Sequence, residues 1–169
     1  MKNATASEFV DKIKQLVGKY NLTAEQEYLN EILVPESKKT ESNLTGEFLF
    51  DLYNNFDLSG RTIGFDFLGR LNENSEYIFF AISDPFDIGI DKKTNEIIMY
   101  DSEFNQVYLK LAKEINEFIE IILLIFEYGL DGWVSEKQYT KDDRVSLLKK
   151  IKATVDSEYS TFYEQSYGN

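Results

Sequence analysis

The sequence contains no cysteine and no histidine, and both absences narrow the chemistry open to it. Without cysteine there is no disulfide, no thiolate nucleophile and no thiolate ligand for a metal ion. Without histidine the chain lacks the commonest general base, the commonest ligand of zinc and iron, and every Ser-His-Asp or Cys-His arrangement. We therefore predict that the protein is not an enzyme and that it needs no metal ion, nucleotide or other cofactor.

Proline and glycine are also scarce, with 2 and 9 residues in a chain of 169, so few positions interrupt regular secondary structure. Hydrophobic residues make up 43% of the chain and include 13 Phe and 11 Tyr, which is enough material for one core. We predict a single domain over residues 1–169. Residues 1–8 are mostly polar and do not combine a basic segment with an apolar one, so we expect no secretory signal here. Together with the lack of cysteine, this favours a cytoplasmic location.

Basic residues are few relative to acidic ones, with 18 Lys and Arg against 30 Asp and Glu, which gives a formal net charge of -12. Such a surface repels the phosphates of nucleic acids and of anionic lipid headgroups. We therefore predict neither a nucleic-acid partner nor a membrane partner, and we place a basic protein first among the candidates. The alternative is that the charge serves solubility alone.

Two capping boxes near the N-terminus predict helices. Thr5 and Glu8 begin the first helix, after which apolar residues recur at helical spacing. Thr23 and Gln26 begin a short second helix, which Pro35 closes. The polar residues 36–46 are predicted to be a surface loop, and the apolar spacing of residues 48–56 predicts a further helix.

From Arg61 onward, short runs of β-branched and aromatic residues separated by turn residues predict three or four strands. Because no helix lies between them, we expect an antiparallel meander. The runs lie near residues 63–67, 77–82, 88–90 and 97–100, and the hairpin connections are expected at residues 72–75 and 91–96.

After the strands, apolar residues from Leu111 to Phe126 recur at steps of three and four, and Gly129 offers a stop, which predicts one long helix. Its glutamates argue against a membrane span. Thr140 and Asp143 form a third capping box and begin a last helix, which could run on into the aromatic C-terminal residues. The predicted fold class is α+β, in which N-terminal helices, a long helix after the sheet and a C-terminal helix pack an antiparallel meander.

Several stretches of this pattern resemble one superfamily. They are Leu33 to Pro35 with Phe48-Leu49-x-x-Leu52-Tyr53-Asn54, Ile78-Phe79-Phe80-Ala81, Asp87-Ile88-Gly89-Ile90-Asp91 with Glu96-Ile97-Ile98-Met99-Tyr100, and Leu111-Ala112-x-x-Ile115-x-x-Phe118-Ile119. Together they resemble the SUKH superfamily, which includes a fungal cell-wall assembly regulator and many bacterial toxin-immunity proteins. The resemblance is strongest over residues 30–128 of the chain.

The resemblance implies a non-catalytic recognition fold whose sheet and helices present a variable surface to a protein partner, often a toxin domain. An immunity protein of this kind neutralises its toxin by occupying the active site. The net charge then favours a basic toxin domain, such as a nuclease whose phosphate-binding cleft is already positive. The first alternative is a regulatory or scaffolding module with a cellular partner. The second is a carboxylate-dependent hydrolase, because paired carboxylates can catalyse hydrolysis without histidine.

Three aspartates, Asp84, Asp87 and Asp91, lie close together in sequence around a predicted turn. Their spacing does not match that of a calcium-binding loop, so we favour turn chemistry over a metal site and expect Asp91 to cap its hairpin. As acidic residues near the ends of strands, the three are also candidate contacts for a basic partner.

The only tryptophan, Trp133, follows Gly129 and Gly132 in a predicted connector between two helices, with Tyr139 a short distance beyond. An exposed indole would anchor a partner, whereas a buried one would cover the core. We favour a buried Trp133 that covers the core, because lone large aromatic residues are usually well buried. Trp133 and Tyr139 complete the set of candidate partner-binding residues.

Overall fold

The structure is a computed structural model that describes residues 4–20, 32–38, 45–135 and 138–168. Its fold is α+β, as predicted, and it consists of a six-stranded antiparallel sheet, a two-stranded sheet and packed helices. The helices in the described part are α1 (Ala6–Gly18), α2 (Phe48–Asn55), α3 (Ile115–Ser135), α4 (Lys141–Lys152) and α5 (Thr161–Tyr167), with a 3-10 turn at Ser157–Tyr159.

The six-stranded sheet is a simple meander in which each strand pairs with the next along the chain. This arrangement confirms the predicted antiparallel meander and extends it to six strands. They are β3 (Thr62–Ile63), β4 (Phe65–Glu73), β5 (Tyr77–Ser83), β6 (Phe86–Asp91), β7 (Ile97–Asp101) and β8 (Gln106–Ala112). The two hairpin connections predicted near residues 72–75 and 91–96 lie between β4 and β5 and between β6 and β7.

Local sequence signals determine α1 and α4. The Thr5 side chain accepts a hydrogen bond from the Glu8 backbone N–H at 3.2 Å, and the Glu8 carboxylate accepts one from the Thr5 N–H at 2.8 Å. Thr140 and Asp143 form the same reciprocal pair at the start of α4. Both capping boxes are confirmed. The predicted second helix falls mostly on residues 21–31, which lie outside the described residues.

The prediction of a loop over residues 36–46 is wrong at its beginning, while residues 39–44 lie outside the described part. Residues Glu36–Ser37 form strand β1, which pairs in antiparallel fashion with β2 (Phe56–Asp57) directly after α2. Both residues of β1 are exposed, so the sequence shows no alternation of apolar and polar residues there that would predict a strand. The strand forms because it pairs with β2, which is distant in sequence.

The prediction that the long helix begins near Leu111 is also wrong. Leu111 and Ala112 end strand β8, and α3 begins at Ile115. Two irregularities in the pairing of β7 with β8 interrupt the alternation of inward and outward residues along β8. Without that alternation, the apolar residues at the end of β8 cannot be told apart from the helical spacing of α3 that follows.

The helix α3 continues beyond Gly129 and Gly132 to Ser135, so the predicted stop at Gly129 is wrong. Neither glycine has a positive φ, so neither adopts the left-handed conformation that ends many helices. Gly132 is instead a packing position. A Cβ atom placed there would lie 2.5 Å from the hydroxyl oxygen of Tyr139, so the missing side chain lets that ring lie against the helix.

The core lies between the helices and one face of the sheet. Phe118 of α3 stacks on Phe65 of β4 with ring centroids 5.5 Å apart and makes an edge contact with Phe80 of β5 at 5.7 Å. Phe118 and Ile122 are both fully buried, as expected if the apolar side of the predicted long helix faces the sheet. At the C-terminus, buried Tyr163 donates a hydrogen bond from its hydroxyl to the Leu111 carbonyl at 3.0 Å.

We expect Phe118→Ala to lower the free energy of unfolding by about 3–5 kcal/mol, because it removes a buried ring and leaves a cavity between α3 and the sheet. Chemical denaturation followed by circular dichroism measures this change. Val145→Ala, at a half-exposed position on α4, is the matched control and should change the free energy by less than about 0.5 kcal/mol. Equal effects of the two substitutions would contradict the placement of α3.

Candidate functional site

Two hairpin turns of the sheet are built in the same way. At the β6–β7 turn, the Asp91 carboxylate accepts hydrogen bonds from the N–H groups of Lys93 and Thr94 at 2.7 and 3.3 Å. At the β7–β8 turn, the Asp101 carboxylate accepts from Glu103 and Phe104 at 3.0 and 3.1 Å. An aspartate that binds the backbone two and three residues ahead is a common way to fix a turn.

An asparagine closes each of these turns in the left-handed conformation. Asn95 has φ 63° and Asn105 has φ 52°, and asparagine is among the few residues besides glycine that adopt this conformation readily. The two turns therefore share the pattern Asp-x-x-x-Asn, which is Asp91 to Asn95 in one and Asp101 to Asn105 in the other. In both, the residues at the ends hold the turn and three residues between them form its tip.

Two further contacts hold the β7–β8 turn in place. The Tyr100 hydroxyl donates a hydrogen bond to the side-chain oxygen of Asn105. The Ser102 hydroxyl donates one to the Asp87 carboxylate, which ties this turn to the neighbouring β5–β6 turn. Because alternate turns of a meander lie at the same end of the sheet, these two turns form one continuous surface. We call residues 84–87 and 101–108 the hairpin-end surface.

Tyr100 is itself held by an aromatic cluster on the sheet face opposite the main core. Its ring lies 5.0 Å from that of Tyr77 and 5.4 Å from that of Phe79, measured between centroids. The cluster depends on Gly89, because a Cβ atom there would lie 2.7 Å from the Phe79 ring and 2.9 Å from a backbone carbonyl. Burial in this cluster raises the pKa of Tyr77. The turn is therefore anchored to a packed part of the sheet.

The hairpin-end surface carries three exposed apolar side chains, with Val107 paired with Tyr100 of the outer cluster and Tyr108 on the face of the sheet that packs against the main core. Phe104 is 68% exposed, Tyr108 is 49% exposed and Val107 is 38% exposed. The Tyr108 ring stacks almost parallel on that of Phe86, with centroids 4.5 Å apart. Only three other large hydrophobic residues in the described part of the chain are exposed, so half of them fall within five consecutive positions. Clustered apolar side chains on a surface mark interaction sites more often than scattered ones do.

The charge of the hairpin-end surface is of one sign. It includes four acidic residues, Asp84, Asp87, Asp101 and Glu103, and residues 84–87 and 101–108 contain no lysine or arginine. Asp84 and Glu103 are exposed, and the other two are half-exposed and hold turns. This end of the sheet therefore combines exposed apolar side chains with carboxylates, and such a combination is complementary to a basic protein surface.

The structure brings together only two of the five predicted partner-binding residues. Asp84 and Asp87 lie in the hairpin-end surface, whereas Asp91 lies at the opposite end of β6. The expectation that Asp91 caps its hairpin is confirmed by its two backbone hydrogen bonds. Trp133 and Tyr139 lie in the helical layer, at the end of α3 and just before α4.

The expectation that Trp133 covers the core is wrong, since its side chain lies on helix α3 and is 55% exposed. The reason is that α3 continues as a helix past the glycines, which places position 133 on its outer face, while the next residue, Val134, packs against the core. Tyr139, in contrast, is half-buried. Its ring stacks on that of Tyr128 with centroids 3.9 Å apart, and its hydroxyl accepts a hydrogen bond from the Gly132 N–H at 2.6 Å.

Carboxylates also meet in a cleft of about 230 Å³ between α3 and α4, where Glu127, Asp131 and Asp143 line one space. Each has a structural role: Glu127 pairs with Lys19, Asp131 accepts the Tyr20 hydroxyl, and Asp143 completes the capping box of α4. Within the ranges that the structure describes, no group of three or more acidic residues is arranged to hold a metal ion.

Sequence reasoning missed Phe104, Val107 and Tyr108, because it placed no strand at β8 and no hairpin before it. A signal was present in the sequence. Asp101-Ser102-Glu103-Phe104-Asn105 has the same first and last residues as Asp91-Lys92-Lys93-Thr94-Asn95, which was recognised as a hairpin connection. Comparing the two segments would have predicted a second hairpin and an exposed phenylalanine at its tip.

A comparison with protein-family models, with curated proteins and with solved structures finds no match to this chain. The SUKH resemblance therefore stays a prediction from the sequence. None of the helices among the described residues combines the length and the apolar character that crossing a bilayer requires.

We expect Asp101→Ala to speed amide hydrogen exchange at Glu103 and Phe104 while changing the free energy of unfolding by less than about 1 kcal/mol, because the carboxylate holds only the turn. Asp91→Ala is the matched control, since it removes the same bonds from the opposite hairpin and should affect Lys93 and Thr94 instead. Unchanged exchange at residues 103 and 104 in Asp101→Ala would show that the carboxylate does not order this tip.

Proposed function

We propose that this chain is a non-catalytic protein-binding domain that captures a basic protein partner on the hairpin-end surface. The observation that carries the proposal is the exposure of Phe104 at the turn tip and of Tyr108 stacked on Phe86 at one end of the sheet, in segments with four carboxylates and no basic residue. Protein interfaces combine a central apolar anchor with a polar rim, and aromatic residues are the most frequent anchors.

The rigid support of the surface favours binding without rearrangement. Asp101, Asn105 and Tyr100 hold the turn, and the Tyr108 ring is stacked on Phe86. Side chains that are held in place before binding lose less conformational entropy when a partner arrives. The Phe104 backbone is held by the Asp101 carboxylate, so its exposed ring projects from an ordered turn, and burying that ring against a partner would remove apolar surface from water.

The partner that fits best is a basic toxin domain, and the chain then acts in the cytoplasm as an immunity protein that occludes the toxin's active site. The SUKH resemblance and the net charge of -12 support this form of the proposal. A nuclease is the expected kind of toxin, because carboxylates of the hairpin-end surface can occupy a cleft that normally binds phosphates. A regulatory or scaffolding partner in the cell is the alternative, and a toxin gene beside this chain's gene would decide between them.

We expect the double variant Phe104→Ser, Tyr108→Ser to lose neutralisation of a toxin domain encoded by the adjacent gene and to bind it at least about thirtyfold more weakly, as for the loss of interface anchors. Growth of cells that express both proteins and isothermal titration calorimetry of the purified pair give the two readouts. Melting temperatures check that the variant is folded.

The matched control is Trp133→Ser, which removes the other strongly exposed aromatic side chain of the described residues. It should leave both growth and affinity unchanged. The opposite result, in which Trp133→Ser abolishes binding and the double variant retains it, would move the interface to the end of α3. If the wild-type chain fails to bind the toxin, the immunity proposal is wrong.

We expect association with a basic partner to slow markedly as salt is raised above about 0.15 M, where the screening length is near 8 Å, while dissociation changes less. The reason is that exposed charge accelerates the encounter more than it holds the complex. Stopped-flow measurements at low and high salt test this expectation. An association rate that does not depend on salt would contradict electrostatic steering and indicate a mainly apolar interface.

A further inference from the structure

Two positions at the tip of the β7–β8 turn, Glu103 and Phe104, are separable from the residues that hold the turn. The turn is held from its ends, by Asp101 and Asn105, and at its first tip position by the Ser102 hydroxyl. The Glu103 and Phe104 side chains have no hydrogen bond, ion pair or ring contact within the described part of the chain, and both are exposed. The fold therefore uses their backbone and leaves their side chains unused.

The opposite turn provides a comparison within the same molecule. It has the same end residues, the same aspartate hydrogen bonds and the same left-handed asparagine, but its tip is Lys92-Lys93-Thr94. One frame therefore carries Lys92, whose ammonium group pairs with Glu73 at 3.0 Å, and exposed Lys93 at one end of the sheet, and the other presents Glu103 and Phe104 at the other end. The frame tolerates tips of opposite charge, so the turn conformation does not require Glu103 or Phe104.

The edges of the sheet indicate that recognition uses side chains. The edge strand β3 has only two residues, and β8 has two pairing irregularities and is packed near its end by the 3-10 turn and α5. Short, bulged and covered edges resist the addition of a strand from another protein. These features disfavour strand addition at β3 and β8, so the exposed side chains of the hairpin tip are a more favourable contact for a partner than those two strand edges.

We propose that Glu103 and Phe104 determine partner specificity, with Phe104 entering an apolar pocket of the partner and Glu103 pairing with a lysine or arginine at the rim of that pocket. This inference rests on the proposed function. It assigns the choice of partner to two side chains of one tip, whereas Val107, Tyr108 and the aspartates supply the surrounding contact area. An apolar pocket with a basic rim is the complement of a phenylalanine next to a carboxylate.

The decisive experiment exchanges the two tips within the chain. This tip-swap variant keeps the composition and the net charge of the protein and moves the tip side chains from one end of the sheet to the other. Its substitutions are Lys93→Glu, Thr94→Phe, Glu103→Lys and Phe104→Thr, which leave the Ser102–Asp87 hydrogen bond and the Lys92–Glu73 ion pair in place. The probe is an inactive variant of a basic toxin domain that the wild-type chain neutralises under the proposed function, and binding is measured by calorimetry and by surface-immobilised kinetics.

We expect the tip-swap variant to bind at least about a hundredfold more weakly than the wild type, since it loses the anchor and reverses the neighbouring charge. Phe104→Thr alone should raise the dissociation rate, and Glu103→Lys alone should mainly lower the association rate. These single variants keep the proposal testable if the tip-swap variant is unstable. The control is Lys93→Glu with Thr94→Phe, which places the same side chains on the opposite turn and should leave affinity within about twofold.

The outcomes separate this inference from the proposed function. If the wild type binds and the tip-swap variant binds equally well, specificity does not reside in Glu103 and Phe104, and the protein-binding proposal stands without it. Binding by Phe104→Thr at wild-type affinity would also overturn the anchor role. If the wild type does not bind the toxin domain, both proposals fail together.

Discussion

The contact of Phe118 with Phe65 and Phe80 is the interaction on which the rest of the molecule depends. It attaches α3 to the sheet at two strands at once, through one stacked and one edge contact. A second close approach supports it at the β3–β4 turn. A Cβ atom on Gly64 would lie 3.4 Å from the Ile122 carbonyl oxygen, and Gly64 has a positive φ of 74°, so a larger residue would be strained there. The helix and the first strands of the sheet are thus held against each other by aromatic packing and by a backbone contact.

A second set of packing contacts lies on the face of the sheet opposite α3. Gly89 leaves room for Phe79, Phe79 packs against Tyr100, and Tyr100 reaches the turn through its hydroxyl contact with Asn105. The exposed ring of Phe104 therefore lies at the end of a series of contacts that begins in a buried part of the sheet. Such support distinguishes the hairpin-end surface from Trp133, which is exposed on the last turn of a helix.

Features fixed by neighbouring residues could be predicted from the sequence, and features fixed by distant partners could not. The capping boxes at Thr5 and Thr140 need only residues three positions apart, and the inward side of α3 follows from spacing alone. Strand β1 exists because of its pairing with β2, some twenty positions away, and no local pattern records that contact. The irregular pairing of β8 removed the alternation on which strand prediction depends.

The candidate site shows the same division. Asp84 and Asp87 were identified from their position near a turn, but grouping them with Asp91 followed sequence proximity, whereas the strand between them separates its two ends. Phe104 remained hidden because its exposure depends on a hairpin that had not been predicted. For Trp133 the general tendency of large aromatic residues to be buried was misleading, since the exposure of one side chain depends on which face of its helix it occupies.

The shared frame of the two turns has a consequence for how the protein can change over generations. Asp101 and Asn105 hold the turn whichever side chains occupy positions 103 and 104, so substitutions there have little effect on stability and are not removed by selection for folding. A lineage that carries this frame can therefore accumulate different tips on one unchanged scaffold. Variation confined to two positions, with constant residues on both sides, is the pattern that natural variants of this chain would then display.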